Sequence, residues 1–203
     1  MENEDLKELL NKTLELFFKY GVRSITMDDL ASRLGVSKKT IYTHVENKAD
    51  LIEKVMRLYI DEQQHACERI VSEEQNAIEQ LNKTYHSNLD SMSNISHTLI
   101  FELKKYYGAI WQSVDAFKKN FLQESIYENI LLGQEQGLFR KSLNARIISI
   151  IYTNRIDMLV DGDLFPSSKF SFREVIQELY EYHIRGIATA AGIQFLESQK
   201  RNF

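Results

Sequence analysis

An 18-residue stretch near the N-terminus, Gly35 to Ile52, is rich in side chains that bind anions. It reads GVSKKTIYTHVENKADLI and holds three lysines, four hydroxyl side chains and one histidine. Ammonium and hydroxyl groups donate hydrogen bonds to phosphate oxygens. Its apolar residues are few and regularly spaced, so the segment offers little to a hydrophobic core. The residue types therefore indicate binding of a polyanion.

Start and stop signals place one short helix just before this stretch, and a second short helix and the beginning of a third within it. Thr26 is a predicted cap for one helix, Gly35 makes a tight turn, and Ser37 caps the next helix, which we expect to run to about Val45. Asn47 then caps a further helix. Two short helices joined by the residues LGVS form a helix-turn-helix.

The second of these short helices has two distinct faces. Ile41 and Val45 share one face and are predicted to pack on the preceding helices, whereas Lys39 and Thr43 centre the opposite face. The flanking positions are Thr40, Tyr42 and His44. An α-helix fits the major groove of DNA, so its outward centre can reach base edges while its flanks meet phosphates. A lysine-rich solvated face is the simpler alternative, but a plain surface helix does not need this short-helix geometry.

Lys48, in the first turn of the helix capped by Asn47, is predicted to contact phosphate, because free backbone N–H groups and a lysine together favour an anion.

The charge distribution restricts anion binding to one surface. The formal net charge is −4, yet residues 33–48 carry four basic side chains against one acidic, a local charge of +3. Residues 61–203 carry 15 basic and 19 acidic side chains, a net −4. A small basic patch on an acidic body keeps nonspecific DNA affinity low.

Composition narrows the class of protein further. The 203 residues suit one large or two smaller domains, and the single cysteine, Cys67, excludes an internal disulfide. The sequence lacks an apolar run of 18 residues and a basic N-terminal start, so we expect a cytoplasmic protein without a membrane span.

His65 and Cys67 have no second ligand pair for zinc, and we find neither a glycine-rich phosphate loop nor a nucleophile motif. We predict no enzyme activity, no metal and no cofactor.

One proline and eight glycines predict long helices with few turns. Apolar spacing indicates helices over 5–20, 109–136 and 145–160, and Ser171 with Glu174 forms a capping box that opens the last long helix. The predicted fold class is all-α.

Two features of this helical part could serve a ligand. Apolar side chains form a stripe along 109–136 that continues into polar positions, and the helix over 145–160 carries one asparagine among isoleucines. The candidate ligand-binding residues are Trp111, Val114, Phe117, Phe121, Glu128 and Asn154. The alternatives are a plain core or a bundle end for the stripe, and an interface asparagine that sets register for Asn154.

The last two predicted helices, 145–160 and the one that opens at Ser171, suit half of a four-helix dimer interface. The shared face of the second comprises Phe172, Ile176, Leu179, His183, Ile187 and Ala190. Gly186 and Ala190 are small enough for a close helix crossing, and His183 is interpreted as a hydrogen-bonded structural histidine.

The segment ELFFKYGVRSITMDDLASRLGVSKKTIYTHVENKADLI, Glu15 to Ile52, strongly resembles the tetracycline-repressor (TetR) family of bacterial transcription regulators. A weaker signature is ILLGQEQGLFRKSLNARII, Ile130 to Ile148, where a long helix ends in a glycine turn. Together the segments cover about a quarter of the chain.

The resemblance implies an all-helical homodimer of about nine helices per subunit. A three-helix DNA-binding domain would span 1–46, and a helical domain for ligand binding and dimerisation would span 47–203. Family phosphate contacts carry over to Thr26, Ser37, Thr40, Tyr42, His44 and Lys48, and base contacts to Lys38, Lys39 and Thr43. Position 39 is often glycine in the family, and position 43 is often aromatic or histidine, so both differ here.

The function expected from residues and resemblance is a sequence-specific transcriptional regulator, a repressor that a small-molecule effector releases from a roughly palindromic operator. The alternative is a helix-turn-helix protein controlled by a protein partner, without a small-molecule pocket. An all-helical enzyme would need catalytic groups that converge in a cavity.

Overall fold

A computed structural model describes residues 2–92, 97–159, 161, 164–166 and 168–200. Its helices are α1 (Glu2–Tyr20), α2 (Met27–Leu34), α3 (Lys38–Tyr42), α4 (Lys48–Glu73), α5 (Ala77–Met92), α6 (His97–Tyr106), α7 (Gly108–Phe117), α8 (Gln123–Glu135), α9 (Ala145–Leu159), α10 (Phe172–Ile187) and α11 (Ala190–Lys200). Within the described residues no β-strand forms, and one isolated bridge pairs Phe139 with Ala188. The all-α prediction is confirmed. None of the helices described is both long and apolar enough to cross a membrane.

The predicted caps around α2 and α3 are present. Thr26 and Asp29 form a reciprocal capping box at the start of α2, and Gly35 ends that helix in the left-handed conformation, with φ of 68°. Ser37 Oγ accepts the Thr40 N–H at 2.9 Å. The predicted end of α3 at Val45 is wrong, since the helix ends at Tyr42.

The chain forms two compact units, each with its own core. The first comprises the described residues of 1–65 and 94–116. Its buried side chains come from α1, α2, α3, the first turns of α4, and α6; they include Phe17, Leu30, Ile41, Leu51, Ile52, Leu99 and Leu103. Hydrophobic contacts thus extend this unit beyond residue 46, where sequence placed the boundary of the DNA-binding domain. That functional boundary stays a prediction.

The second unit comprises the described residues of 66–93 and 117–203. Its core includes Ala77, Ile78, Leu81, Ile130, Phe139, Tyr180 and Ile184. Gly133 is required here, because a Cβ at that position would lie 2.0 Å from the Phe139 ring. The predicted glycine turn follows at Gly137, with φ of 73°.

The helix predicted over 109–136 contains a wider turn. A π-helical segment, Lys118–Leu122, separates α7 from α8. Lys118 is buried, and its ammonium bonds the Asp157 carboxylate at 2.8 Å. A π turn rotates the following face relative to the preceding one, so the stripe extrapolated from Val114 does not continue unchanged past Phe117.

The helix that opens at Ser171 ends earlier than predicted. Its Ser171–Glu174 capping box is confirmed, but α10 ends at Ile187 and Ala188 is extended. The Thr189 N–H donates to Leu138 O at 2.9 Å, and Thr189 Oγ1 accepts the Gly192 N–H. This pairing with Leu138 starts α11 as a separate helix.

A buried carboxylate on α6 holds the turn between α1 and α2. Glu102 is 8% exposed, and its Oε2 accepts the backbone N–H groups of Val22 at 2.7 Å and Arg23 at 2.8 Å. The Arg23 guanidinium also lies 4.2 Å from the Tyr106 ring centroid. A Cβ at Gly21 would lie 2.7 Å from the same carboxylate oxygen, so this approach depends on glycine.

Glu102→Ala should lower the free energy of unfolding in urea by about 2–3 kcal/mol, because it removes a charged acceptor from two N–H groups. Glu102→Gln keeps a neutral acceptor and should lose about 1 kcal/mol. Glu15→Ala, on the exposed side of α1, is the control and should change stability by less than about 0.5 kcal/mol. Equal stability of Glu102→Ala and the control would contradict this role.

Candidate functional site

The α3 helix presents polar side chains outward and apolar ones inward. Ile41 and Val45 are 0% and 3% exposed. The exposed side chains from the start of α3 onward are Ser37, Lys38, Lys39, Thr40, Tyr42 and Thr43. The inward direction of the two apolar residues is therefore confirmed, and the predicted DNA-contacting residues of α3 lie together on its surface.

Several of the predicted DNA contacts also shape the backbone locally. Thr26 Oγ1 accepts the Asp29 N–H at 3.1 Å, and Ser37 Oγ lies 2.8 Å from Thr40 Oγ1. Thr43 Oγ1 donates to Thr40 O at 2.6 Å, at the end of α3. These hydroxyls are capping groups as well as candidate ligands for DNA.

The two neighbouring lysines differ in their surroundings. The Lys38 ammonium forms an exposed ion pair with Asp28 at 3.0 Å, and this hydrogen bond raises the pKa of Lys38. Lys39 forms no salt bridge with a described residue and is exposed. His44 is half-buried, and its carbonyl accepts the Lys54 ammonium at 2.8 Å. Of the two lysines, Lys39 is thus the more available for a base edge.

Lys48 points inward. Its ammonium donates to the Ile25 carbonyl, just before α2. Desolvation by burial lowers the pKa of Lys48, and the Glu102 carboxylate opposes that shift. Lys48 thereby connects the first turn of α4 to the loop that precedes α2, a role that sequence did not predict.

The second unit contains a partly open cavity of about 660 Å³ beside α8. Its walls come from the end of α4, from α5, from the π-helical segment and from α8. The lining residues on α4 and α5 are Cys67, Glu68, Val71, Ser72 and Gln80; those from the π-helical segment onward are Asn120, Phe121, Glu124, Ser125, Glu128, Asn129 and Leu132.

Two hydrogen-bonded pairs join polar side chains within the cavity wall, Cys67 with Ser125 and Asn129 with Gln80. Cys67 Sγ lies 3.1 Å from Ser125 Oγ, and burial raises the pKa of the Cys67 thiol. Asn129 is 6% exposed and donates to Ala77 O and Gln80 Oε1, both at 2.9 Å. Its amide oxygen has no hydrogen-bond partner among the described residues.

The cavity includes two of the six predicted ligand residues, Phe121 and Glu128. Phe117 stacks on Phe121, with ring centroids 5.4 Å apart. Trp111 and Val114, which precede the π turn, instead pack against the core of the first unit. Asn154 is exposed on α9, where its amide donates to Ile150 O at 2.8 Å.

Sequence reasoning missed the α4 and α5 part of the lining. Cys67 and Val71 are one turn apart on α4, and Gln80 follows on α5. Their spacing is ordinary for amphipathic helices, so only the packing of α4 and α5 beside α8 identifies them. Asn129 carried a weak signal as an amide among apolar residues.

An apolar face of α9 is exposed. Ile147, Ile151 and Met158 are 55%, 59% and 45% exposed, at helical spacing with Asn154 between them. Tyr182 on α10 is 82% exposed.

The face of α10 that was predicted as a dimer interface is mostly covered within its own unit, so that prediction is wrong. Ile176 and Ile187 are each 3% exposed, and Phe172 and Leu179 pack on the same core. The two isoleucines are thus buried in the core of their own unit, and Phe172 and Leu179 are half-buried against it. Ala190, assigned to the same face, begins the separate helix α11.

His183 is half-buried beside aromatic rings rather than hydrogen-bonded at both nitrogens. Its ring lies 4.2 Å from that of Tyr152, and its Nε2 has no partner among the described residues. Burial, with a contribution from Arg155, lowers the pKa of His183 to about 3. A neutral structural role follows.

Two parts of the chain match known families. Residues 9–55 match the family described as "Bacterial regulatory proteins, tetR family". Residues 52–186 match a TetR C-terminal domain family described as "YsiA-like protein, C-terminal region". The HTH-type transcriptional regulator YvaF of Bacillus subtilis is 29% identical over 182 residues, 89% of this chain and 94% of that protein.

Solved structures share the fold. A transcriptional regulator from Saccharomonospora viridis in complex with choline superposes with a TM-score of 0.72 at 22% identity, covering 92% of this chain and 99% of that one. The regulator FadR from Bacillus subtilis in complex with stearoyl-CoA has a TM-score of 0.65 at 19% identity, covering 88% and 97%. With both domain matches spanning most of its length, the chain belongs to the TetR family of bacterial regulatory proteins and is a helix-turn-helix transcriptional regulator.

Proposed function

We propose that this regulator is a homodimeric repressor that binds a roughly palindromic operator and leaves it when a small molecule occupies the cavity of the second unit. The observation that carries the DNA-binding part is α3, whose polar side chains are exposed while Ile41 and Val45 anchor it. A protein that binds chromosomal DNA acts in the cytoplasm, which is where we place it.

In this proposal α3 enters the major groove. Lys39 reads a base edge, with Thr43 and Lys38 beside it, and the phosphate contacts come from Thr26, Ser37, Thr40, Tyr42 and His44. The Lys38–Asp28 ion pair is exposed, so Lys38 can exchange its partner for DNA at small cost. Lys48 contributes by fixing the start of α4 rather than by its own charge.

Dimerisation supplies the specificity that one short helix lacks. Two copies related by a two-fold axis double the number of base contacts and require two half-sites. The exposed face of α9, with Ile147, Ile151 and Met158, supports an interface there, joined by Tyr182 of α10. This assignment keeps the two helices that sequence indicated but uses a different face of α10.

A small-molecule effector is favoured over control by a protein partner because the second unit has a cavity lined by Phe121 rather than a solid interior. The effector must bind the DNA-free conformation more tightly than the DNA-bound one, since equal affinity for both shifts no equilibrium. Relatives of this fold were solved with choline and with stearoyl-CoA, ligands of very different chemistry. The effector class must therefore be inferred from this cavity.

Selection of bound sequences from random DNA tests the function directly. We expect a two-fold symmetric consensus. Recovery of unrelated sequences would overturn the proposal of a specific operator.

Lys39→Ala should relax the preference at one base position per half-site and weaken binding to the preferred operator by about 1–3 kcal/mol per contact. Lys141→Ala removes the same charge from an exposed site in the second unit and should leave the preference unchanged. Binding curves on operator variants measure both. A uniform loss on all sequences would make Lys39 a phosphate contact instead.

Lys48→Met should weaken binding to every DNA sequence alike, because it loosens the start of α4 without removing a base contact. The slope of log affinity against log salt should stay unchanged, since the ammonium bonds Ile25 O. A slope reduced by about one would instead establish a direct phosphate contact by Lys48.

Ile151→Arg should split the dimer and abolish operator binding, because the charge would be buried without a partner. Sedimentation at micromolar concentration measures the assembly. Ala190→Arg is the matched control, and we expect it to remain a DNA-binding dimer because Ala190 lies on α11. The opposite pattern would move the interface to α11.

A further inference from the structure

The charged residues of the cavity in the second unit all have the same sign. Glu68, Glu124 and Glu128 line it, and its described lining contains no lysine or arginine. The Glu124 carboxylate is held by Arg146 from outside the lining, at 2.6 and 3.3 Å. Glu128 forms no salt bridge with a described residue. The cavity is therefore electrostatically suited to a cation, and it opposes an anion.

The rest of the lining is largely apolar. Val71 and Leu132 contribute aliphatic surface, and Phe121 contributes an aromatic ring. The volume of about 660 Å³ is typical of sites for ligands of drug size, about 300–1,000 Å³. Such a lining requires a ligand with a substantial hydrocarbon part, so a small inorganic cation does not fit it.

Asn129 also lines the cavity, and its side chain is held by neighbouring groups. Its amide nitrogen faces two oxygens, Ala77 O and Gln80 Oε1, and this fixes the orientation of the amide. The remaining Oδ1 is buried and unpartnered among the described residues. Because this Oδ1 is covered by protein atoms, it does not open onto the cavity and adds no hydrogen-bond acceptor for a ligand.

We propose that the effector is a cationic amphiphile, with an ammonium or guanidinium head near Glu128 and a hydrocarbon part against Phe121, Val71 and Leu132. This inference rests on the proposed function, because it assigns the ligand class of the same effector site. It excludes fatty acids and other anionic amphiphiles as effectors of this cavity.

The single cysteine of the chain provides a direct assay, because Cys67 lies in the cavity wall. Alkylation of Cys67 by iodoacetamide at pH 8 is followed by mass spectrometry with three C10 probes below their micellar concentrations: decylammonium, decanol and decanoate. At this pH the alkylammonium is protonated, since its pKa is near that of lysine, about 10.4. We expect decylammonium to slow alkylation at least five-fold, at concentrations where decanol has a smaller effect and decanoate none.

Glu128→Gln tests the charge. The ratio of the protection by decylammonium to the protection by decanol should fall at least three-fold. Protection is the factor by which a probe slows alkylation relative to the same variant without probe. Glu135→Gln, an exposed position on α8 outside the lining, should retain the full advantage. Circular dichroism confirms that both variants are folded.

The outcomes separate this inference from the proposed function. Protection by decanoate equal to or better than that by decylammonium, or no protection by any probe, overturns the cationic assignment and leaves DNA binding untouched. Protection by decylammonium without any effect on operator binding supports the ligand class, but overturns release by this effector. Protection accompanied by weaker operator binding supports both.

Discussion

A recognition helix of five residues cannot be stable on its own, and this constraint governs the first unit. Isolated helices of that length do not form in water because nucleation costs more than a single turn returns. The α3 helix, Lys38–Tyr42, depends on the Ser37 cap at one end and on burial of Ile41 at its centre. Its outward side chains are therefore positioned by contacts made elsewhere in the unit.

Those contacts include groups far away in sequence. Glu102 of α6 accepts two backbone N–H groups from the turn before α2, and Lys48 of α4 donates to the Ile25 carbonyl. The pKa of Lys48 is lowered by burial, while the nearby Glu102 carboxylate favours its charged form. A buried acid and a half-buried base thus satisfy backbone groups of the loop between α1 and α2.

The second unit combines a packed hydrophobic core with a cavity. Phe139, packed against Gly133, and Ile130 fill one part of the unit. Beside Phe121 of the π-helical segment and Glu128 of α8, the packing leaves a cavity instead. The π-helical segment just before α8 sets which residues face that space, as π turns often do at functional sites.

Local signals in the sequence determined the helix-turn-helix, because caps and glycine turns act within three or four residues. Thr26, Ser37, Asn47 and Ser171 all cap the helices predicted for them. The inward face of α3 followed from the spacing of Ile41 and Val45. Family membership also follows from this local pattern, since its order and spacing are specific.

Tertiary structure decided what depends on packing between distant segments. Trp111 and Val114 pack against the core of the first unit, whereas Phe121 and Glu128, which follow them in the chain, line the cavity of the second. The apolar face of α10 is buried in its own unit, whereas that of α9 is exposed, and helical periodicity is the same in both cases. Periodicity identifies an apolar face but not what covers it, because the covering surface comes from residues far along the chain. The prediction for Lys48 was limited in the same way. Its position in the sequence indicated a phosphate contact, but only the fold places the Ile25 carbonyl within reach of its ammonium.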